Sequence, residues 1–505
     1  MAPNDGTRPD ALPSRQASLE RLAALGARIE ARTRVATLPQ WWEERVSLHP
    51  DHVVLRTPTR TLSYRELDQL SDRVARAAYA EGVRPGDAVG LQLPASGVFL
   101  ALILGLAKAG ARLALLSPGL RGRSLRHALT EIPTTLLITS GEGARAAAAL
   151  EDFSPPRIVV LDDPEAAARA PTEPPLEVLE RWLEPFPVAV ERLPPTPARS
   201  PDETLFYIFT SGTTGLPKAT QCSHLRYVAG ATSEGALFEM TDADRMYVVL
   251  PMFHIAALSA IGAALSVCAS VVIRSKFSAS AFWQDVHAYS ATTFQYLGEI
   301  LRYLIAQPSS PLDRPNPLRA LLGAGVTEEV WLRFEQRFGP VQIVESYGSS
   351  EGVIGIFNAD GVPGSVGRAA PSLEERLEIV TYDVGADRLA RDPEGRLIAC
   401  AEGEPGELLA RLDDRNQFEG YSSAEATRSK LLEDAFEDGD GRALLTETYK
   451  IGVAELKRQG YATEEAEDPV YLLDARAGRY APVTDASLRE ARLPPFQGET
   501  AGPTP

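Results

Sequence analysis

The chain has 505 residues, 44% hydrophobic and 24% charged, a balance that supports a large folded core rather than general disorder. A net charge of −17 and a sequence pI near 5.0 exclude the basic footprint of a nucleic-acid binder and any global attraction to anionic lipid. Cys222, Cys268 and Cys400 are too scattered for a disulfide framework or a CxxC metal clamp, which predicts a reducing, cytoplasmic setting.

In chain order, residues 1–35 read as a flexible N-terminal arm with helical character over Leu19–Ala31. The polar, turn-rich start from Met1 to Gln16 has no apolar signal-peptide core. Short apolar runs then alternate with helical patterns. A strand at Ala88–Leu93 is followed by a helix at Val98–Gly110 and a strand at Ala111–Leu116. The rhythm recurs at Thr135–Thr139, Ile158–Leu161, Met246–Leu250, Val271–Arg274 and Gln342–Glu345, which predicts an α/β fold. Residues 162–203, rich in Pro, Glu and Ala, read as a surface insertion or linker. Ile255–Ile273 is 19 residues without a charge, long enough on paper to span a bilayer. Its alanines, serines and Gly262, and its β-branched end, favour a core helix followed by a buried strand. Short β patterns with turns over 364–411 predict a small β subdomain.

The segment Thr204–Thr220 carries the first chemical motif. A strand at Leu205–Phe209 runs into Thr210, Ser211, Gly212, Thr213, Thr214 and Gly215, and ends at Lys218. Glycines let successive backbone N–H groups converge on an anion, hydroxyls add donors, and the lysine brings a mobile positive charge. Pro217 before the lysine and Ala219 after it rule out a Walker loop. On composition alone the stretch reads equally well as a flexible turn with a surface lysine. The second motif, Val344–Gly352, holds Tyr347, Gly348, Ser350 and Glu351. Within it Gly348-Ser-Ser-Glu-Gly352 fits the G-x-S-x-G elbow of α/β hydrolases. That class needs its histidine after the serine, and all six histidines (49, 52, 127, 224, 254 and 287) precede Ser350, so it is excluded.

The order Ser211-Gly-Thr-Thr-Gly-Leu-Pro-Lys218 resembles the signature of the adenylate-forming superfamily, and Tyr347-Gly-Ser-Ser-Glu351 resembles its second loop, with Ser350 in place of the usual threonine. Phe294–Leu304, Pro363–Arg368 and Tyr449–Ile451 with Leu456–Tyr461 are similar to segments of the fatty-acid transport protein, or very-long-chain acyl-CoA synthetase, family. The resemblance covers most of residues 40–485 and implies a large domain at 36–415, of stacked α/β sheets plus the small β subdomain, that binds ATP and the acyl group. It implies Tyr347 stacking on adenine, Ser350 touching the α-phosphate and Glu351 helping to hold Mg2+. Gly323, Ala324 and Gly325 fall at the adenine-side loop. His254, in Pro251-Met-Phe-His254, borders the acyl pocket, although a lone histidine there more often reads as a satisfied core residue. Lys450 is placed as the terminal catalytic lysine.

The implied partners are ATP, CoA as co-substrate and a long- or very-long-chain fatty acid, without nucleic acid. The implied reaction is activation of the acid to acyl-adenylate and then acyl-CoA. Location follows the same resemblance: cytoplasmic, with peripheral contact at the inner face of the plasma membrane as the further expectation. The pattern breaks near the C-terminus. Gly420-Tyr421 and Glu425-Ala-Thr427 are present, but no Thr-Gly-Asp loop follows, and Gly441 lies nine residues before Lys450. Only 64 residues follow Gly441, against on the order of 100 for an independently folding domain. Residues 416–505 are therefore expected to form a shortened segment with a truncated α+β lid. This leaves two readings: an acyl-CoA ligase, or a catalytically impaired nucleotide- and acyl-binding relative that has lost its lid.

Overall fold

The structure is a computed structural model. It describes residues 15–32, 35–58, 60–161, 176–186, 188, 199–210, 216–369, 376–383, 386, 388–401, 403–412, 418–432, 443–445, 471–474 and 479–482. Strands in the first half of the chain are β1 (Val53–Arg56), β2 (Thr61–Ser63), β3 (Ala88–Gln92), β4 (Arg112–Leu115), β5 (Leu136–Thr139), β6 (Arg157–Val160), β7 (Thr204–Thr210) and β8 (Lys218–Ser223). They are followed by β9 (Arg245–Val248), β10 (Ser270–Ile273), β11 (Thr293–Leu297), β12 (Ala320–Ala324), β13 (Gln342–Gly348), β14 (Gly355–Phe357) and β15 (Arg368–Ala369).

These strands form two sheets. One has six strands in the order β6-β5-β3-β4-β7-β8, parallel except for the β8 edge. The other has nine, in the order β15-β14-β13-β12-β11-β9-β10-β1-β2, parallel from β13 to β1 with antiparallel edges. The two-residue period of a strand sorts the six-stranded sheet's side chains. Leu113, Leu115, Phe206 and Ile208 enter the main core, while Ala114, Tyr207 and Phe209 enter a second cluster under the helices Gly122–Glu131 and Gly141–Ala148. The main core is continuous with the nine-stranded sheet through the helices Gly97–Lys108, His224–Leu237 and Ile255–Ser266. Every residue from Gly97 to Ala107 is buried, as expected of a helix that is apolar all round. Its N-cap, Ser96, accepts a hydrogen bond from the Phe99 amide at 3.2 Å, satisfying one free donor of the first turn.

The 255–273 stretch is a helix followed by β10, both buried, and no helix among the described residues is long and apolar enough to cross a membrane. Residues 15–32 are less loose than the sequence reading implies. They form one helix, and Leu25 joins the main core because it lands on the same face as the equally buried Leu22. The 162–203 stretch likewise holds a helix, Leu176–Trp182, whose Leu176, Val178 and Leu179 are buried. Arg73 donates to the Phe186 and Leu183 carbonyls and fixes that helix's end.

The small β layer is a four-stranded sheet of β16 (Leu377–Val380), β19 (Glu407–Arg411), β21 (Ala443–Leu445) and β20 (Leu431–Leu432), in that order, beside a two-stranded ribbon of β17 (Tyr382–Asp383) and β18 (Arg388–Leu389). It reaches past residue 411 because β19 pairs antiparallel with β21. Residues 447–505 form a separate unit, in which β22 (Tyr471–Asp474) and β23 (Arg479–Pro482) make an antiparallel hairpin.

Candidate active site

β7 and β8 are antiparallel neighbours, and their register sets Thr210 opposite Lys218. The Thr210 hydroxyl donates to the Lys218 carbonyl at 3.4 Å. Burial of Leu205–Phe209 anchors this end of the loop. Ser211, Gly212, Thr213, Thr214 and Gly215 lie outside the described residues, as does Lys450. The Lys218 ammonium stands 6.0 Å from the centre of the Tyr421 ring, at the limit of a cation–π contact.

Tyr421 is held there by an extra strand-like pairing along β8. The Gln221 amide donates to the Gly420 carbonyl at 3.0 Å, and the Ser422 amide donates to the Ala219 carbonyl at 2.9 Å. The Glu419 carboxylate accepts from the Ser223 amide at 2.7 Å and from its hydroxyl at 2.5 Å. Tyr421 is only 4% exposed, and its hydroxyl donates to Glu351 Oε1 at 2.5 Å. Burial pushes the Glu351 carboxyl up, but hydrogen bonds from Tyr421, its own backbone and Ser349, with the charge of Lys430, outweigh it. Glu351 therefore titrates below its ordinary range. One tyrosine thus joins the lysine of the first motif to the glutamate of the second.

Arg226, in the helix His224–Leu237, fixes the loop between β13 and β14. It donates to the Gln221 carbonyl at 2.7 Å and to the Ser350 carbonyl, and lies 3.5 Å from the Glu419 carboxylate. Gly352, at φ +72°, has no room for a Cβ, which would lie 2.2 Å from Arg226 Nε. Behind this loop Glu345 is buried. Its carboxylate accepts from the Tyr296 hydroxyl at 2.7 Å, from the Val326 amide at 3.1 Å and from the Gly325 amide. Burial nevertheless holds the Glu345 carboxyl above its usual range, despite these three donors.

A cavity of about 500 Å3 opens between these parts. Gly323 and Ala324 from β12, Ser346 and Gly348 from β13, and Ser350 line it, together with Arg226 and Gln295. The Ser346 hydroxyl donates to the Gly323 carbonyl at 2.7 Å and ties the two strand ends together. Gly323 is required by close approach, since a Cβ would meet the Tyr296 carbonyl oxygen at 2.3 Å. Gly325 sits beside the cavity, held by Glu345. Tyr347 packs instead into an apolar cluster with Val353, Ile354 and Ala410, next to the small β layer. His254 is the N-cap residue of the helix Ile255–Ser266, whose Ile255, Ala256 and Ser259 line the cavity. Its ring lies 4.5 Å from that of Phe253, and desolvation keeps the imidazole below its ordinary value.

The structure therefore brings Thr210, Lys218, Ser350 and Glu351 to one side of the molecule, linked through Arg226 and Tyr421. Sequence reasoning noticed Gly420-Tyr421 but gave the tyrosine no role, and passed over Arg226 and Glu345. The signals in the sequence were the glycine before the tyrosine and a glutamate set within the strand Gln342–Gly348. Glu351 also fits a magnesium ion. Its carboxylate is held ionised, Tyr421 occupies one oxygen, and the other suits a hard cation that takes one or two carboxylates with phosphate oxygens.

The two α/β sheets with their small β layer define the fold of the N-terminal domains of adenylate-forming enzymes. The N-terminal domain of FACL13 from Mycobacterium tuberculosis superimposes at a TM-score of 0.63, with 20% identity, over 89% of this chain and 100% of that one. The chain belongs to the AMP-binding enzyme family, whose model matches residues 42–422 and so includes Thr210, Lys218, Glu351 and Tyr421. The chain is 33% identical over 425 residues to the medium/long-chain-fatty-acid–CoA ligase FadD6 of Mycobacterium tuberculosis, covering 83% of this chain and 67% of that protein. It is 37% identical over 367 residues to the human long-chain fatty acid transport protein 3, covering 70% of this chain and 52% of that protein. The chain thus spans between about half and two thirds of the length of these relatives.

Proposed function

We propose that the chain activates a long- or very-long-chain fatty acid with ATP, as an AMP-forming fatty acid–CoA ligase does. The observation that carries this reading is the Lys218–Tyr421–Glu351 assembly beside a cavity lined by Gly323, Ala324, Gly348 and Ser350. A fatty carboxylate oxygen attacks the α-phosphorus of ATP. The bond to the bridging oxygen breaks, and pyrophosphate leaves with its electron pair. Lys218 and the loop donors of Thr210–Gly215 hold phosphate oxygens on which negative charge grows. Magnesium bound at Glu351 supplies further charge neutralisation. Gly323–Gly325 gives the nucleotide a wall of small residues, and Ser350 contacts the α-phosphate; Tyr347, expected to stack on adenine, would have to leave its apolar cluster to do so. His254 borders the acyl group. Lys450 is the lysine that reaches the phosphates during adenylation. The acyl group then passes to the CoA thiol with release of AMP, the half-reaction that the missing Thr-Gly-Asp loop and hinge between Thr427 and Lys450 would weaken most. So apolar an acid suits a peripheral seat at the inner face of the plasma membrane.

A second reading is an impaired relative that binds nucleotide and acyl group without turnover. The absence of a Thr-Gly-Asp loop between Thr427 and Lys450 favours it. ATP–pyrophosphate exchange driven by a long-chain acid separates the two. Acid-dependent exchange supports the ligase, and nucleotide binding without exchange supports the impaired relative.

A further inference from the structure

The strands β1, β10 and β9 are parallel neighbours, so the turns leading into them meet at one end of the nine-stranded sheet. Two of these turns bring metal-binding side chains. His49 caps the helix Leu38–Leu48, and His52 follows it by three residues just before β1. Asp242 lies in the turn before β9. One donor atom from each of the three lies within 4.8 Å of the others. The two imidazole rings are stacked with centroids 4.5 Å apart. Among the described residues none of these three side chains has a hydrogen-bond partner, although all three are ordinary hydrogen-bonding groups. His52 and Asp242 are exposed and His49 partly so, which leaves the donors open to a solute ion.

We propose that His49, His52 and Asp242 form a binding site for a divalent transition-metal ion, zinc foremost. Two imidazoles and a carboxylate are a three-ligand zinc set, with water completing a tetrahedron. At zinc–ligand bonds of about 2.0–2.1 Å, neighbouring donors in a tetrahedron sit roughly 3.3 Å apart. Rotation of exposed side chains supplies the remaining movement, while the backbone beneath them is fixed. The His52 amide donates to the His49 carbonyl at 3.2 Å, and the Tyr64 amide donates to the His52 carbonyl at 2.9 Å. Two residues beyond Asp242, the buried Asp244 accepts from Arg319 Nε at 2.7 Å and from the Thr292 hydroxyl at 2.7 Å. The chemistry separates this site from the one at Glu351. Imidazole suits zinc, nickel or copper, whereas magnesium prefers oxygen ligands. A bound ion would clip the end of one helix to the start of β9, across β10.

The test uses the full chain without a histidine tag. Zinc chloride is titrated into wild type and into the variants His49→Ala, His52→Ala and Asp242→Asn, with calorimetric affinity and thermal midpoint as readouts. Cobalt(II) serves as a spectroscopic probe of geometry. The expected result is one zinc per chain with a raised thermal midpoint, an intense tetrahedral cobalt band, and affinity at least tenfold weaker in each variant. Magnesium should leave the midpoint of the nucleotide-free protein unchanged. Equal zinc affinity in wild type and all three variants, or no stoichiometric zinc binding by wild type, overturns the proposal. Variants that keep the wild-type midpoint in chelator remain a valid comparison. A variant that loses this midpoint is replaced by His52→Gln, judged by the same loss of zinc affinity.

Discussion

Replacing Tyr421 by phenylalanine removes one oxygen and leaves the ring in place. That oxygen donates to Glu351 at 2.5 Å and is the leading contact opposing the burial of the carboxyl. A hydrogen bond to a charged group contributes about 1.5–3 kcal/mol. Since about 1.4 kcal/mol corresponds to one pKa unit, losing that bond should raise the pH at which Glu351 titrates in Tyr421→Phe. The sign follows from the depressed pKa in the folded protein. The stability contributed by ionised Glu351 is present above its unfolded value and is lost as pH falls through its folded value. Without the phenol, burial is less opposed and this loss begins at higher pH. The acid limb of ATP–pyrophosphate exchange should therefore move upward by about one unit, because a protonated Glu351 is a poor magnesium ligand. The assay is exchange with a long-chain acid from about pH 4 to about pH 8, with the fold checked by thermal denaturation at each end. Tyr421→Leu also removes the ring under Lys218 and should lose a further two- to fivefold, from a cation–π term of about 0.5–1 kcal/mol. Superimposable acid limbs for wild type and Tyr421→Phe would refute the reasoning.

Gly323→Ala drives a methyl toward the Tyr296 carbonyl oxygen at 2.3 Å, so the denaturant midpoint should fall by the equivalent of about 1–3 kcal/mol, and an unchanged midpoint counts against the close approach. Arg226→Gln removes the guanidinium that holds the Ser350 carbonyl, and ATP affinity should weaken roughly tenfold by equilibrium binding, matching a loss of about 1.5 kcal/mol. Glu234 is buried in the helix His224–Leu237, and burial, only partly offset by a hydrogen bond from Ser259, pushes its carboxyl up to about 8. The folded state then holds a proton that the unfolded chain has released, so stability declines as pH rises from the ordinary carboxyl range through 8, by at most about 1.4 kcal/mol per pH unit. Glu234→Gln should flatten that decline in pH-resolved denaturation curves, and an equally steep decline in the variant would show that Glu234 is not its source.

Much of the scaffold was legible because its signals are local. The strands β3, β4, β5 and β10 stand out as short apolar runs between turn residues. The uncharged 255–273 stretch resolves into a helix and a strand through its alanines and its β-branched end. The two motifs stand out in the sequence itself, since glycine, hydroxyl and lysine order is a local property. What the sequence hid is pairing over long separations. Tyr421 reaches Glu351 across 70 positions, and Glu419 reaches Ser223 across 196. No periodicity encodes such contacts. Glu345 was hidden differently: a carboxylate among the polar residues of β13 looks solvent-facing until Tyr296 and the Gly325 and Val326 amides are seen around it. Tyr347 shows the same limit, because its position in the motif says nothing of the apolar cluster that its ring joins. The helix Leu176–Trp182 was masked by the Pro- and Glu-rich composition on both sides of it.

The most direct measurement is ATP–pyrophosphate exchange by the purified chain with magnesium and a long-chain fatty acid, run beside Lys218→Ala and followed by addition of CoA. The account predicts acid-dependent exchange in wild type, at least tenfold slower exchange in Lys218→Ala, and acyl-CoA formation that lags well behind adenylation. Nucleotide binding without acid-dependent exchange, or exchange unaffected by loss of Lys218, would contradict it.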